Sequence, residues 1–301
     1  MSAESVGPFV VGLGELLWDI IGERREIGGA PANSAYHAVT LGARGAVVSR
    51  VGEDDLGGEI LERLGAAGVD VSAVSIDPEH PTGTVTVELE GKGKPRFRIH
   101  ENAAWDFMRM DPAGLGMARR ADAVCFGTLA RRRRESAGAV RKFLAATRPE
   151  CLRVFDVNLR QDYFSGEILD AGLRVSNVLK LSDEEASVVG GLLSIRGSDR
   201  EVAEKLAERY SLRAVAVTRG EKGCFVLAGG EPAEHEGFVP ELIVSTVGAG
   251  DAFTAVLVLG LLRRLRSADI CERANRLASY VCTQPGAMPA LPQALRALVA
   301  P

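Results

Sequence analysis

The chain has 301 residues, 46% apolar and 25% charged, with a formal net charge of −4. That length supports one large α/β domain or two smaller ones, each with a buried core. The weak acidic balance excludes the electrostatic footprint of a nucleic-acid or anionic-membrane binder; with no run fit to span a bilayer and no secretory pattern at the amino terminus, a soluble, cytoplasmic protein is expected.

From the amino terminus, Phe9 to Leu13 reads as the first strand, and Trp18 to Ile27 as a possible lid strand. A helix over Ala32 to Leu41, a strand over Ala46 to Val51 and a helix over Leu56 to Ala67 follow. Thr84-Val-Thr-Val-Glu-Leu-Glu alternates with period two, Gly91-Lys-Gly-Lys makes a turn, and Arg96-Phe-Arg-Ile-His alternates again. That is a hairpin with one apolar and one polar face, unsuited to a sheet buried on both sides. Strands over Ala123 to Phe126, Val154 to Val157, Val178 to Leu181, Ala214 to Val217 and Cys224 to Leu227 come next. Helical patterns over Ser136 to Ala146 and Asp199 to Tyr210 separate several of them, and Ser267 to Cys282 follows the last. This alternation predicts an α/β fold: a mainly parallel central sheet, helices on both faces, and ligands at the carboxyl ends of the strands. We expect one domain over 1–301, with a small β-strand lid inserted at about 17–28 and 82–107. The apolar face of the lid needs a cover, which substrate, the main domain or a second subunit could supply; a lid-to-lid homodimer is therefore expected.

Cys125, Cys151, Cys224, Cys271 and Cys282 are scattered and form no C-x-x-C pair, as expected of reduced core thiols rather than a zinc site or disulfide framework. Four adjacent arginines, Arg131 to Arg134, point in different directions on a helix, so a solvated loop or helix start is expected there.

Val247-Gly248-Ala249-Gly250-Asp251-Ala252-Phe253 precedes a helix that is apolar almost all round. A small-residue turn at such a start directs backbone N–H groups at an anion, aided by the helix dipole. Asp251 would repel that anion unless it caps the helix or takes a proton from a hydroxyl attacking a phosphate.

Several motifs then agree. Gly28-Gly29-Ala30-Pro31-Ala32-Asn33, Leu41-Gly42 and Val51-Gly52-Glu53-Asp54-Asp55-Leu56-Gly57 resemble the amino-terminal signature of the ribokinase/phosphofructokinase-B family of sugar kinases. Gly248-Ala249-Gly250-Asp251-Ala252-Phe253 resembles its carboxy-terminal signature, and Asp156-Val-Asn158-Leu-Arg160 and Thr218-Arg-Gly220-Glu-Lys-Gly223 fall between them in family order. Gly14-Glu15-Leu-Leu-Trp18-Asp19 and Ala104-Trp105-Asp106 look most like bacterial fructokinases.

The resemblance implies a ribokinase-like three-layer α/β/α fold and transfer of the ATP γ-phosphate to a sugar hydroxyl, with Mg²⁺ on the phosphates. Gly248, Ala249 and Gly250 would cradle the transferred oxygens, with Asp251 as base. Asp19, Gly29, Asn33, Trp105, Asn158 and Arg160 would bind the sugar, fructose first, then ribose, ketodeoxygluconate or a nucleoside. Thr218, Gly220 and Asn275 would meet the nucleotide, and Glu185 would organise the metal through water. Plainer readings stand beside these: Asn33 as a cap, Asp19 as a turn residue, Arg160 as a surface charge, Trp105 packed on the main domain and Asn275 facing solvent.

Two positions depart from the family. Ser182 replaces the asparagine of Asn-x-x-Glu and reaches less far. Ser245 replaces an aspartate that helps hold a monovalent cation in potassium-activated members, so weak or absent K⁺ activation is expected. Two other classes compete: a dinucleotide-dependent oxidoreductase, hinted at by Gly12-Leu-Gly14 but lacking the third glycine, and a sugar- or nucleotide-binding regulator without turnover.

Overall fold

The computed structural model describes residues 7–21, 24–90 and 94–300. The chain begins with β1 (Phe9–Leu13), the lid strands β2 (Leu17–Ile21) and β3 (Arg24–Gly28), helix α1 (Ala30–Thr40), β4 (Arg44–Gly52), α2 (Asp55–Ala66) and β5 (Asp70–Asp77). The lid hairpin β6 (Gly83–Glu90) and β7 (Lys94–Ile99) follows, then α3 (Pro112–Arg120), β8 (Ala123–Phe126), α4 (Arg134–Ala145), β9 (Leu152–Asp156) and α5 (Gly166–Leu173). The remainder is β10 (Val178–Ser182), α6 (Asp183–Leu192), α7 (Asp199–Tyr210), β11 (Ala214–Thr218), β12 (Cys224–Ala228), β13 (Glu231–His235), α8 (Ala249–Leu262), α9 (Ser267–Cys282) and the short α10 (Gln293–Arg296).

The main sheet has nine strands in the order β13-β12-β11-β10-β9-β8-β1-β4-β5. Pairing is parallel from β5 to β11, and the last two strands, β12 and β13, run antiparallel at one edge. Strand alternation feeds two cores. Val11, Leu13, Val124, Phe126 and Phe155 face one helical layer, while Val10, Ala123, Cys125 and Val154 face α8 and α9 on the other. These strands are buried on both faces, which is why they read as continuous apolar runs. The three-layer architecture expected from the alternation is the one observed.

The strand order reverses between β1 and β8: the chain runs outward through β4 and β5, returns, and continues through β9, β10 and β11. A crevice opens at such a switch point, beyond the carboxyl ends of the strands. The amino-terminal ends of α1 and α8, which pack against each other, supply its residues.

The second sheet has four strands in the order β3-β2-β6-β7, so the segment at 17–28 does partner the hairpin. The turn at 91–93 and the side chains of Val87, Leu89 and Phe97 lie outside the described residues. The apolar face that motivated a dimer is, for its described side chains, covered within the chain. Leu17, Val85 and Ile99 are buried with Trp105 and Leu129, and the Trp18 indole donates to Leu56 O at 3.0 Å on α2.

The arginine run ends in a helix start, but its first three side chains are engaged by the protein. Arg131 donates to Ile168 O at 2.9 Å. Arg132 clamps Asp106 through Nε to Oδ1 and Nη2 to Oδ2, both at 2.7 Å, and lies over the rings of Trp105 and Tyr163 at 4.2 and 4.6 Å. Arg133 bonds Asn102 and covers Phe107, and Arg134 alone is exposed, opening α4. Packing decides this: a buried carboxylate and two ring faces offer guanidinium groups more than water does.

Gly12 and Gly14 have a structural use of their own. A Cβ on Gly12 would lie 2.0 Å from Pro31 O, and one on Gly14 2.9 Å from Ala130 Cβ. They let β1 touch the start of α1, which removes the motive for a dinucleotide site.

Candidate active site

The turn that opens α8 is shaped by Gly248. It is the N-cap of α8 with φ 81°, a left-handed conformation, and a Cβ there would sit 2.6 Å from the Ala287 backbone. Both the dihedral and the space call for glycine. Ala249 N–H turns back to Thr246 O at 3.3 Å, and the helical ladder starts with Ala252 N–H to Gly248 O at 2.9 Å. The amides of Gly250 and Asp251 therefore stand in the open first turn, where a helix meets an anion. Of the three amides expected to cradle phosphate, that of Ala249 is partly committed to the turn.

Asp251 does not cap α8, which has no side-chain cap. Its Oδ2 accepts instead from Asn33 Nδ2 at 2.7 Å. Asn33 is itself 4% exposed and caps nothing; its N–H continues the α1 ladder to Gly29 O. Burial, and then the nearby Asp156 carboxylate, push Asp251 up to about 7, against the pull of Asn33, Lys180 and Arg160. A group poised there suits a general base near neutrality.

Beneath the turn lies a network that sequence reading missed. Lys180 Nζ donates to Asp156 Oδ1 at 3.1 Å, and Thr254 Oγ1 donates to Asp156 Oδ2 at 2.7 Å. A Cβ on Gly250 would come within 3.1 Å of the Lys180 ammonium, so the buried cation lies under the turn that opens α8. The available signal was a lysine inside the apolar strand Val178-Leu179-Lys180-Leu181, since a buried charge requires a partner.

The sugar-side candidates converge on the same crevice. Asp19 lies within β2, not in a turn, and its carboxylate occupies the space left by Gly28, whose Cβ would be 2.3 Å from Oδ2. Burial raises Asp19 to about 6, with Arg160 opposing and Glu26 adding to the rise. Gly29, φ 108°, is the N-cap of α1, and a Cβ there would meet Glu15 O at 2.4 Å. Asn158, φ 43°, follows β9, with its carbonyl held by Thr128 Oγ1 at 3.3 Å. Arg160 is exposed, yet its charge acts on Glu15, Asp19 and Asp251. Trp105 is not brought to the crevice. It is wholly buried, packed over Gly83 of β6 and under Arg132, together with Leu17, Val85 and Ile99 of the small sheet and with Leu129.

On the nucleotide side, Thr218 ends β11 beside Ser182, and Gly220 opens the turn after it, exposed, with φ 57°. Asn275 does not face solvent. It is 7% exposed, and its amide donates to Cys271 O at 2.8 Å and contacts Cys224 Sγ at 3.0 Å. Glu185 and Ser182 form a capping box at the start of α6: Ser182 Oγ accepts from Glu185 N–H and Glu185 Oε2 from Ser182 N–H. Glu185 Oε1 also takes Leu159 N–H at 2.7 Å, tying the loop after β9 to the first turn of α6. Each oxygen keeps a further lone pair, which fits a water-mediated magnesium contact and not a bare cage.

A sheet-end crevice, an open helix start and a buried carboxylate bonded to an amide fit a phosphotransferase acting on a hydroxyl. Residues 20–294 match the pfkB family carbohydrate kinases, and the chain belongs to that family. Its activity class is ATP-dependent phosphorylation of a carbohydrate. A fructokinase of Escherichia coli is 31% identical over 277 residues, covering 88% of each chain. A sugar kinase of Pyrococcus horikoshii superposes with TM-score 0.78 at 27% identity, covering 97% of this chain and 100% of the other. A fructokinase of Vibrio cholerae O395 superposes with TM-score 0.79 at 26% identity, covering 97% and 98%. No helix among the described residues is long and apolar enough to cross a membrane.

Proposed function

We propose that the chain is an ATP-dependent fructokinase in which Asp251 takes the proton of the attacking sugar hydroxyl and the first-turn amides of α8 hold the transferred phosphoryl oxygens. One observation carries this reading. Asp251 stands in that first turn while its carboxylate is bonded to Asn33 of α1, so the base belongs at once to the phosphate side and the sugar side. Phosphoryl transfer asks mainly for in-line positioning and charge neutralisation, which such a junction supplies.

Fructose is favoured by the Escherichia coli relative's activity and by the Vibrio cholerae protein, which was solved with fructose, ADP and calcium bound. Asp19, Gly29, Asn33, Asn158 and Arg160 would hold the sugar hydroxyls, and Thr218, Gly220 and the region of Asn275 the nucleotide. Magnesium on the phosphates would supply neutralisation of their charge, and Glu185 would hold it through its waters. Lys180 and Asp156 keep the turn in place from below.

The test is ADP release from ATP and Mg²⁺ across a panel of fructose, ribose, 2-keto-3-deoxygluconate and nucleosides, with NAD(P)H absorbance as control. Fructose-dependent ADP release with the highest kcat/KM is expected. A higher kcat/KM on another sugar overturns fructose; sugar binding without ADP release overturns the kinase and leaves a binding regulator.

A further inference from the structure

Glu15 lies in the wall of the same crevice, within electrostatic reach of Asp251. It follows β1, is 2% exposed, and its Oε2 is buried with no hydrogen-bond partner. Its carbonyl touches the position a Gly29 side chain would take, and its carboxylate faces the amide of Ala30, the first residue of α1. One turn further along the same face, i to i+3, stands Asn33. Because Asn33 gives its amide N–H to the Asp251 carboxylate, its Oδ1 points elsewhere, and that oxygen is also buried without a partner.

Two buried oxygens beside the start of α1, one from the loop after β1 and one from the helix itself, therefore lack partners. Buried polar atoms are paired in folded proteins, and one left unpaired points to a missing ligand. A hydroxyl, which both donates and accepts, can pair with each oxygen in either protonation state of Glu15. A neutral polyol presents O–H groups that can satisfy both. A sugar acid or sugar phosphate would bring an anionic oxygen, without a proton, against Glu15, Asp19 and Asp251, with Arg160 the nearby cation acting on all three.

We propose that Glu15 is a specificity-determining residue of the acceptor site, its Oε2 receiving a hydroxyl donor of an uncharged sugar alongside Asn33 Oδ1, so that the site selects neutral polyols over sugar acids. This rests on the reading of the crevice as a sugar kinase site and adds the chemical class of the acceptor. Burial holds Glu15 up at about 7, with its own amide opposing, Asp251 adding to the rise, and Arg160 and the Ala30 amide opposing. Near neutrality the carboxyl can then both accept from and donate to a hydroxyl.

The experiment compares the full-length chain with its Glu15→Gln variant, which keeps a carbonyl for the Ala30 amide and removes the charge. Calorimetry gives the Kd of D-fructose and of D-gluconate, and steady-state assays give kcat and KM for each. In the parent, fructose binds more tightly than gluconate. In the variant, the fructose Kd and KM rise about tenfold with kcat nearly kept, and the preference for fructose over gluconate shrinks by at least that factor. A parent that prefers gluconate, or a variant in which both constants are unchanged or weaken equally, overturns the proposal and leaves Glu15 as a support for α1. Fructose binding without ADP release overturns the kinase reading instead, and the two Kd values still decide the role of Glu15.

Discussion

Asn33 donates to Asp251 across a separation of 218 residues at 2.7 Å, and this bond joins the starts of α1 and α8. It orients the carboxylate and stabilises its ionised form, against burial and against the charge of Asp156. On the proposed reading, substrate positioning and base strength share one contact.

The pH dependence of turnover follows. Asp251 must be ionised to accept a proton, and its pKa is raised to about 7. kcat/KM should rise from pH 5.5 and level off above about pH 8. Asn33→Leu removes a contact that holds the pKa down, so the midpoint should move to higher pH as well as the rate falling. A pH–rate profile of both proteins checks this; an unmoved midpoint assigns the titration to another group.

Asp251→Asn should lose at least 100-fold in kcat while ATP still binds. It should also be more stable than the parent at pH 8. A carboxyl whose pKa rises on folding contributes stability at low pH that is lost as pH climbs from the unfolded value of 3.8 through about 7. The variant lacks that loss, so its advantage in Tm should be small at pH 4.5 and grow to a few kcal/mol equivalent at pH 8. Thermal melts at the two pH values measure it.

The pair beneath the turn predicts a non-additive cycle. Lys180→Met leaves Asp156 buried without its cation and should cost about 3–5 kcal/mol in urea unfolding. Lys180→Met with Asp156→Asn should recover a large part of that loss. kcat should remain low in both, because Gly250 rests against the Lys180 ammonium.

Arg132→Ala should destabilise by a similar amount, about 3–5 kcal/mol, since Asp106 is wholly buried and Trp105 loses its cover. Arg132→Lys keeps the charge and loses the two-pronged geometry, so it should recover only part. Fructose KM near the parent value in a folded Arg132→Lys sample would support the structural assignment of Trp105.

Replacing sodium with potassium should change kcat less than about twofold, because losing a formal charge weakens a cation site. Ser245 offers no charge, and its Oγ accepts from Val247 N–H at 3.2 Å. A strong activation by potassium would contradict this.

Much of the frame was legible in the chain. Period-two and helical patterns are local, so Phe9–Leu13, Asp199–Tyr210 and Ser267–Cys282 stand where the patterns put them. The S-x-x-E of Ser182 and Glu185 was also a readable capping box, a plainer use than the metal contact alone. Arg131 to Arg133 were misleading because their partners, Ile168, Asp106 and Asn102, lie elsewhere in the chain, whereas Arg134 is the exposed helix start expected. Trp105 could be placed on the lid but not turned, since the Gly83 gap and the Arg132 cover that decide its direction are tertiary.

The sequence by itself determined that a small-residue turn opens an apolar helix with a carboxylate in its first turn, because backbone freedom and helix polarity are properties of neighbouring residues. Tertiary structure decided what that carboxylate is. Burial, the amide of Asn33, the charge of Asp156 and the ammonium of Lys180 all reach Asp251 through space, and pKa and orientation are set by such neighbours rather than by the order of residues.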